Sequence, residues 1–113
     1  MKDCIFCKII NKEIPADIIY EDDNVMAFKD VNPATPTHLL FIPKKHIPTL
    51  MDVDGENAHL MGDLHRAVAQ VAREMELESG FRLVSNCNKD AGQIVFHVHY
   101  HLLAGRPLQW PPG

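Results

Sequence analysis

Apolar and polar positions along the chain change their spacing several times, and each change marks an element. Ile18-Ile19-Tyr20-Glu21 and Val25-Met26-Ala27-Phe28-Lys29-Asp30 are rich in strand-forming residues and flank the polar triplet Asp22-Asp23-Asn24. Runs of that kind around a tight polar turn predict two antiparallel strands. Leu39-Leu40-Phe41-Ile42, closed by Pro43, predicts a buried third strand. The loop before it, residues 32–37, carries two prolines and no helix potential, and it delivers His38 to the strand's start. From Asp52 or Asp54, either of which can cap a helix, to about Glu78 the spacing becomes three and four. Leu60, Leu64, Ala67, Val68, Val71, Ala72 and Met75 then form one stripe of a long amphipathic helix.

A shorter helix is predicted from a cap at Asp3 through Asn11, with Ile5, Phe6, Ile9 and Ile10 as its apolar side and Pro15 beyond its end. After Gly80, Phe81–Asn86 reads as a strand and residues 88–92 as a polar turn ending in glycine. The last strand is expected from Gln93 or Ile94 to about Leu103, where Ala104-Gly105-Arg106-Pro107 breaks it. The fold class expected is α+β: an antiparallel meander of about five strands with one long helix and a short N-terminal helix, in one domain over residues 1–113.

That last stretch carries the chemistry. In Phe96-His97-Val98-His99-Tyr100-His101-Leu102-Leu103, histidine alternates with apolar or aromatic residues. On a strand, His97, His99 and His101 would share one face, about 6–7 Å apart, while Phe96, Val98, Tyr100 and Leu102 face a core. Such a row can grip one small anion or one metal ion while a single imidazole reacts. Gly92 before it lets backbone N–H groups approach a ligand, and Gln93 adds an amide at the row's edge. Asp30 could accept two ribose hydroxyls, beside an apolar slot of Ile9, Phe28 and Val31 that suits a flat base and is equally explicable as core. His59 and His65, on the long helix, lack a ligand partner at motif spacing and read as surface or packing residues.

Composition narrows the class. Of 113 residues, 46% are apolar and 23% charged, with a formal net charge of −4 and a pI near 5.9. This is an ordinary globular balance and argues against a nucleic-acid-binding surface. No apolar run approaches the roughly 20 residues of a membrane span. The start Met1-Lys2-Asp3-Cys4 has no signal-like apolar stretch, so the expected location is cytoplasmic. Three cysteines in that setting point to reduced thiols or a metal site rather than a disulfide frame. Cys4-x-x-Cys7 at a helix start has the spacing of half a tetrahedral zinc site, or of two reduced thiols packed at a helix–sheet seam.

The stretch from Gln93 to Leu103 resembles the signature of the histidine-triad (HIT) superfamily. Ile5-Phe6-Cys7-Lys8-Ile9-Ile10, Ile14-Pro15-Ala16, Thr35-Pro36-Thr37-His38 and Trp110-Pro111-Pro112-Gly113 resemble its nucleotide-binding (Hint) branch, so the likeness covers nearly the whole chain. It implies a homodimeric purine nucleoside phosphoramidase that cleaves AMP or GMP conjugates through a nucleotidyl-histidine. His99 would be the nucleophile, His101 would hold the phosphate and help protonate the leaving nitrogen, and His38 would belong to the supporting network. Asp30 and Val31, with Phe28 and Ile9 beside them, match the ribose and base contacts. Asn86, Gly92 and Gln93 match the phosphate contacts, with Ile94 next to them. Some HIT proteins carry a Cys₂His₂ zinc site, and His46 and His97 match the two ligands that complete it with Cys4 and Cys7. The tail would fasten to the partner subunit near its active site. One departure stands out: position 94, commonly a hydroxyl residue in this branch, is Ile94. A nucleotide-binding scaffold with weak turnover, a dinucleoside polyphosphate hydrolase, and a zinc-binding interaction module are the competing readings.

Overall fold

The computed structural model describes residues 3–113; Met1 and Lys2, part of the chain start read above for an export signal, lie outside them. In chain order the elements are α1 (Ile5–Ile10), β1 (Ile18–Glu21), β2 (Val25–Lys29), β3 (Thr37–Pro43), a 3₁₀ turn (Leu50–Asp52), α2 (Ala58–Glu74), β4 (Phe81–Val84), α3 (Asn88–Ala91) and β5 (Tyr100–Ala104). The strands form one antiparallel sheet in the order β1-β2-β3-β5-β4. The α+β class and the antiparallel sheet are as the sequence predicts. The first three strands form a meander; α2 then carries the chain across, and β5 returns between β3 and β4.

The turn between β1 and β2 is an Asp22 device. Its Oδ1 accepts from the N–H groups of Asn24 and Val25, both at 2.8 Å, replacing the bonds a bare turn would lose. Alternation then sends the central strands' side chains to two faces. Val25, Ala27, Leu39, Phe41, Leu102 and Ala104 pack against Leu64, Ala67, Val68 and Val71 of α2. Met26, Phe28, Leu40 and Ile42 pack against Phe6 and Ile9 of α1. A central strand between two helices is buried on both sides, which is why β3 reads as a continuous apolar run.

Four local expectations are corrected. α1 is capped by Cys4, whose Sγ accepts from the Cys7 N–H at 3.3 Å, and not by Asp3, while Ile5 stays about half exposed. Neither Asp52 nor Asp54 caps α2. Asp52 closes a capping box with Thr49 on the 3₁₀ turn, and Asp54 Oδ1 accepts from the N–H groups of Glu56 and Asn57 just before the helix. Met75 lies beyond the last turn of α2 and is partly exposed. Most consequential, the histidine stretch is a strand only from Tyr100 onward; residues 92–99 are irregular, and Phe96 is exposed rather than core.

Candidate active site and metal centre

β5 and β3 bring His101 and His38 together. Leu40 pairs with His101 and Leu103 with His38, so both imidazoles fall on the α1 face of the sheet. His38 Nε2 lies 2.9 Å from His101 Nδ1. The proton positions follow from the partners. The Ala34 N–H donates to His38 Nδ1 at 3.0 Å, so that nitrogen carries a lone pair and the proton sits on Nε2. His38 Nε2–H then donates to His101 Nδ1, and a neutral His101 keeps its proton on its own Nε2. The Asp30 carboxylate, 3.4 Å from His38 Nε2, stands at the back of this chain.

His99 is arranged the opposite way. Its Nδ1 is 2.7 Å from the His97 carbonyl oxygen, which can only accept. Nδ1 therefore bears the proton and Nε2 bears the lone pair. The His99 and His101 rings are 5.0 Å apart, closer than strand spacing alone would set them. Two adjacent imidazoles thus offer a bare nitrogen and an N–H donor. Burial holds His99 below its ordinary pKa, against smaller raising effects of the His97 carbonyl and the Asp30 charge. Burial, then the neighbouring His99 and His38, pushes His101 down to about 4, so both are neutral at pH 7.

Both line a cleft of about 570 Å³. One end is apolar, with Phe6, Ile9, Ile14, Phe28 and Leu40, and Asp30 and Val31 stand beside it. Asn86, Gly92, Ile94 and Val95 close the end near the histidines. Of the residues singled out by sequence, Asp30, Val31, Phe28, Ile9, Asn86, Gly92, Ile94, His99 and His101 therefore meet at one cavity. Asp30 is less free than expected: its Oδ1 already accepts from the Asn32 N–H at 2.7 Å. Val31, at 89% exposure, is a rim residue rather than a wall of the slot. His38 lies behind His101 and does not line the cleft.

The Gln93 side chain does not supply the expected amide at the row's edge. It is buried, with Nε2 donating to the carbonyls of Pro48 and Val95 and Oε1 accepting from the Asn88 N–H. It braces the loop and does not face the cleft. Two contributors were missed in the sequence. The Ser85 hydroxyl donates to the His99 carbonyl at 2.8 Å, and the Phe6 ring meets His99 edge-to-face at a centroid distance of 5.1 Å. Neither carries a local signal, because each acts across a long stretch of chain.

The first member of the row faces elsewhere. Cys4, Cys7, His46 and His97 converge so that one ligand atom from each lies within 4.8 Å of the others. His97 Nδ1 is 3.4 Å from Cys4 Sγ, 3.6 Å from Cys7 Sγ and 3.2 Å from His46 Nδ1, and Cys7 Sγ is 3.4 Å from His46 Nδ1. A tetrahedral ion with bonds of about 2.0–2.3 Å needs ligand atoms about 3.3–3.8 Å apart, so the four residues fit one cation. The tautomer agrees. His97 Nε2–H donates to the Pro43 carbonyl at 2.7 Å, which leaves Nδ1 bare toward the cluster and orients the ring as a metal ligand's outer bond does. Burial and the nearby Cys4 sulfur raise the Cys7 thiol above its ordinary pKa, a direction that a divalent cation would reverse.

A five-stranded antiparallel sheet thus carries a histidine pair of opposed tautomers on the wall of one cleft of about 570 Å³. The HIT domain family pattern matches residues 11–108, and the chain belongs to that family. It is 51% identical to a HIT-like protein of Synechocystis sp. over 99% of this chain and 98% of that one. It is 47% identical to the purine nucleoside phosphoramidase of Escherichia coli K12 over 95% and 91% of the two chains. Among solved structures, a HIT family hydrolase of Legionella pneumophila superposes with a TM-score of 0.96 at 48% identity, covering 98% of this chain and all of that one.

Proposed function

We propose that this protein hydrolyses the P–N bond of purine nucleoside 5′-phosphoramidates through a nucleotidyl-His99 intermediate, as one HIT domain spanning residues 1–113. The observation that carries the reading is the His99 tautomer, with Nδ1–H spent on the His97 carbonyl at 2.7 Å and Nε2 left as a lone pair beside the cleft. An imidazole whose ordinary pKa is about 6.5, held lower by burial, is neutral and nucleophilic at pH 7. The relatives named above support the substrate class.

The base would lie in the apolar end between Ile9 and Phe28, with Val31 at its edge and the ribose against Asp30. The phosphate would lie against His101, Asn86, Gly92 and the backbone around Ile94. His99 Nε2 attacks phosphorus, the P–N bond breaks, and its electron pair leaves on the amine. His101, with its N–H held outward by the His38 relay, binds a phosphate oxygen and the departing nitrogen while a solvent proton completes the amine. Water then attacks the phosphorus of nucleotidyl-His99, the P–Nε2 bond breaks with its electron pair returning to Nε2, and the water's proton passes to solvent, leaving the nucleoside monophosphate and neutral His99.

Cys4, Cys7, His46 and His97 would hold zinc, since two thiolates and two imidazoles at tetrahedral spacing suit that ion, and it would serve as a structural centre. Metal analysis of protein purified without chelator tests this; absence of zinc near one per chain removes it. We further read the protein as a cytoplasmic homodimer, and sedimentation measures the assembly. Among the described residues no helix is long and apolar enough to cross a membrane.

The functional test is turnover of adenosine 5′-phosphoramidate by wild type and His99→Ala. Loss of turnover with AMP binding retained supports the reading. Equal low rates in both proteins would favour a nucleotide-binding scaffold, the reading that an apolar Ile94 at the cleft favours.

A further inference from the structure

The segment that carries His99 lies outside the sheet ladder, since β5 begins only at Tyr100. Other contacts hold it. The Val98 N–H donates to the Ile47 carbonyl at 2.6 Å, next to His46. His97 is tied through Nε2 to Pro43 and through Nδ1 into the Cys/His cluster. The same residue's carbonyl sets the His99 tautomer.

A second route runs through α1. Phe6 sits between Cys4 and Cys7, so the cluster grips the helical turn on both sides of it. Its ring meets His97 at 5.9 Å, His99 at 5.1 Å and Phe28 at 5.5 Å, each edge-to-face. The hydrogen bond to the His97 carbonyl fixes one point of the His99 imidazole, and the near-perpendicular Phe6 ring packs against it at 5.1 Å as a second contact.

We propose that the Cys4–Cys7–His46–His97 cluster, holding its cation, is the positioning centre for His99, acting through the His97 carbonyl and the Phe6 ring. This rests on His99 being the nucleophile. Phe6 is then a positioning residue as well as a wall of the cleft. In-line attack tolerates little error in the approach of Nε2, so a small rotation of the ring lowers the rate far more than it weakens substrate binding.

The test compares zinc-loaded wild type, zinc-loaded Phe6→Leu, and wild type stripped of metal and then given Zn²⁺ back. Leucine keeps apolar bulk in the site and removes the ring. Imidazole ¹⁵N and ¹H NMR, assigned by loss of signals in His99→Ala, reads the His99 tautomer and the exchange of its Nδ1–H without any turnover. With zinc content and cooperative unfolding retained, Phe6→Leu is expected to lower kcat about tenfold, hold KM within about twofold, and speed Nδ1–H exchange about tenfold. Stripped wild type shifts the same signals in the same direction, and Zn²⁺ restores them. Unchanged His99 signals in both metal-loaded Phe6→Leu and stripped protein overturn the proposal. Shifted signals in a protein that never turns over phosphoramidate uphold the positioning centre and instead refute the proposed activity.

Discussion

Replacing Ile94 by serine should raise activity, and the structure sets the size of the gain. Ile94 is 88% exposed on the rim of the cleft, beside Gly92 and Val95. Only about an eighth of its side chain is buried, so the substitution forfeits about 0.2–0.4 kcal/mol of the roughly 1.5–3 kcal/mol that full burial supplies. Thermal unfolding should hardly move. In return the site gains one hydroxyl able to donate to a phosphate oxygen or to the departing nitrogen. In an enclosed, water-free site such a donor is worth on the order of 10²–10³ in rate. At a wet rim it competes with water, and a net hydrogen bond of about 0.5–1.5 kcal/mol corresponds to about a 2- to 13-fold increase. The assay is steady-state hydrolysis of adenosine 5′-phosphoramidate by wild type, Ile94→Ser and Ile94→Ala. The alanine variant removes the same bulk without adding a donor, so it separates the hydroxyl from relief of crowding. An Ile94→Ser rate equal to wild type, or equal to Ile94→Ala, would refute the assignment of this position to the phosphate side.

Three further outcomes are expected. Chelation of the Cys4–Cys7–His46–His97 site should lower Tm by about 5–15 °C in differential scanning calorimetry, with recovery on adding Zn²⁺, because metal binding is folding free energy. His38→Ala should cost about 2–4 kcal/mol in urea unfolding, since the Ala34 N–H and His101 Nδ1 both lose their partner, and kcat should fall with it. Gly105→Ala should cost about 1–3 kcal/mol in the same assay. Gly105 has φ +99°, and an added Cβ would stand 2.7 Å from Pro36 Cβ.

The elements most legible in the chain were those with their cause inside them. The Asp22-Asp23-Asn24 turn, the continuous apolar run of β3 and the three-and-four spacing of α2 each satisfy their backbone or bury one face by local rules. The α1 cap was misjudged because a cysteine thiol, a weak acceptor, took the place of the usual carboxylate. The Gln93 amide reads as free for the cleft because the pattern of residues does not show that its own loop folds back on it, through Asn88 and Val95, and that Pro48 meets it from 45 residues away.

The sequence by itself determined which chemistry is present: three alternating imidazoles, a Cys-x-x-Cys pair, and an aspartate beside apolar residues. It also fixed the two-faced sheet, since alternation and helical spacing are properties of a single segment. Only the tertiary structure decided how the three histidines divide. Alternation reports where side chains point and says nothing of whether a ladder partner exists. The β4–β5 ladder stops at Val84 opposite His101, and the β3–β5 ladder stops at Phe41 opposite Tyr100. The chain before Tyr100 therefore leaves the sheet, and His97 turns to Cys4, Cys7 and His46 while its carbonyl orients His99.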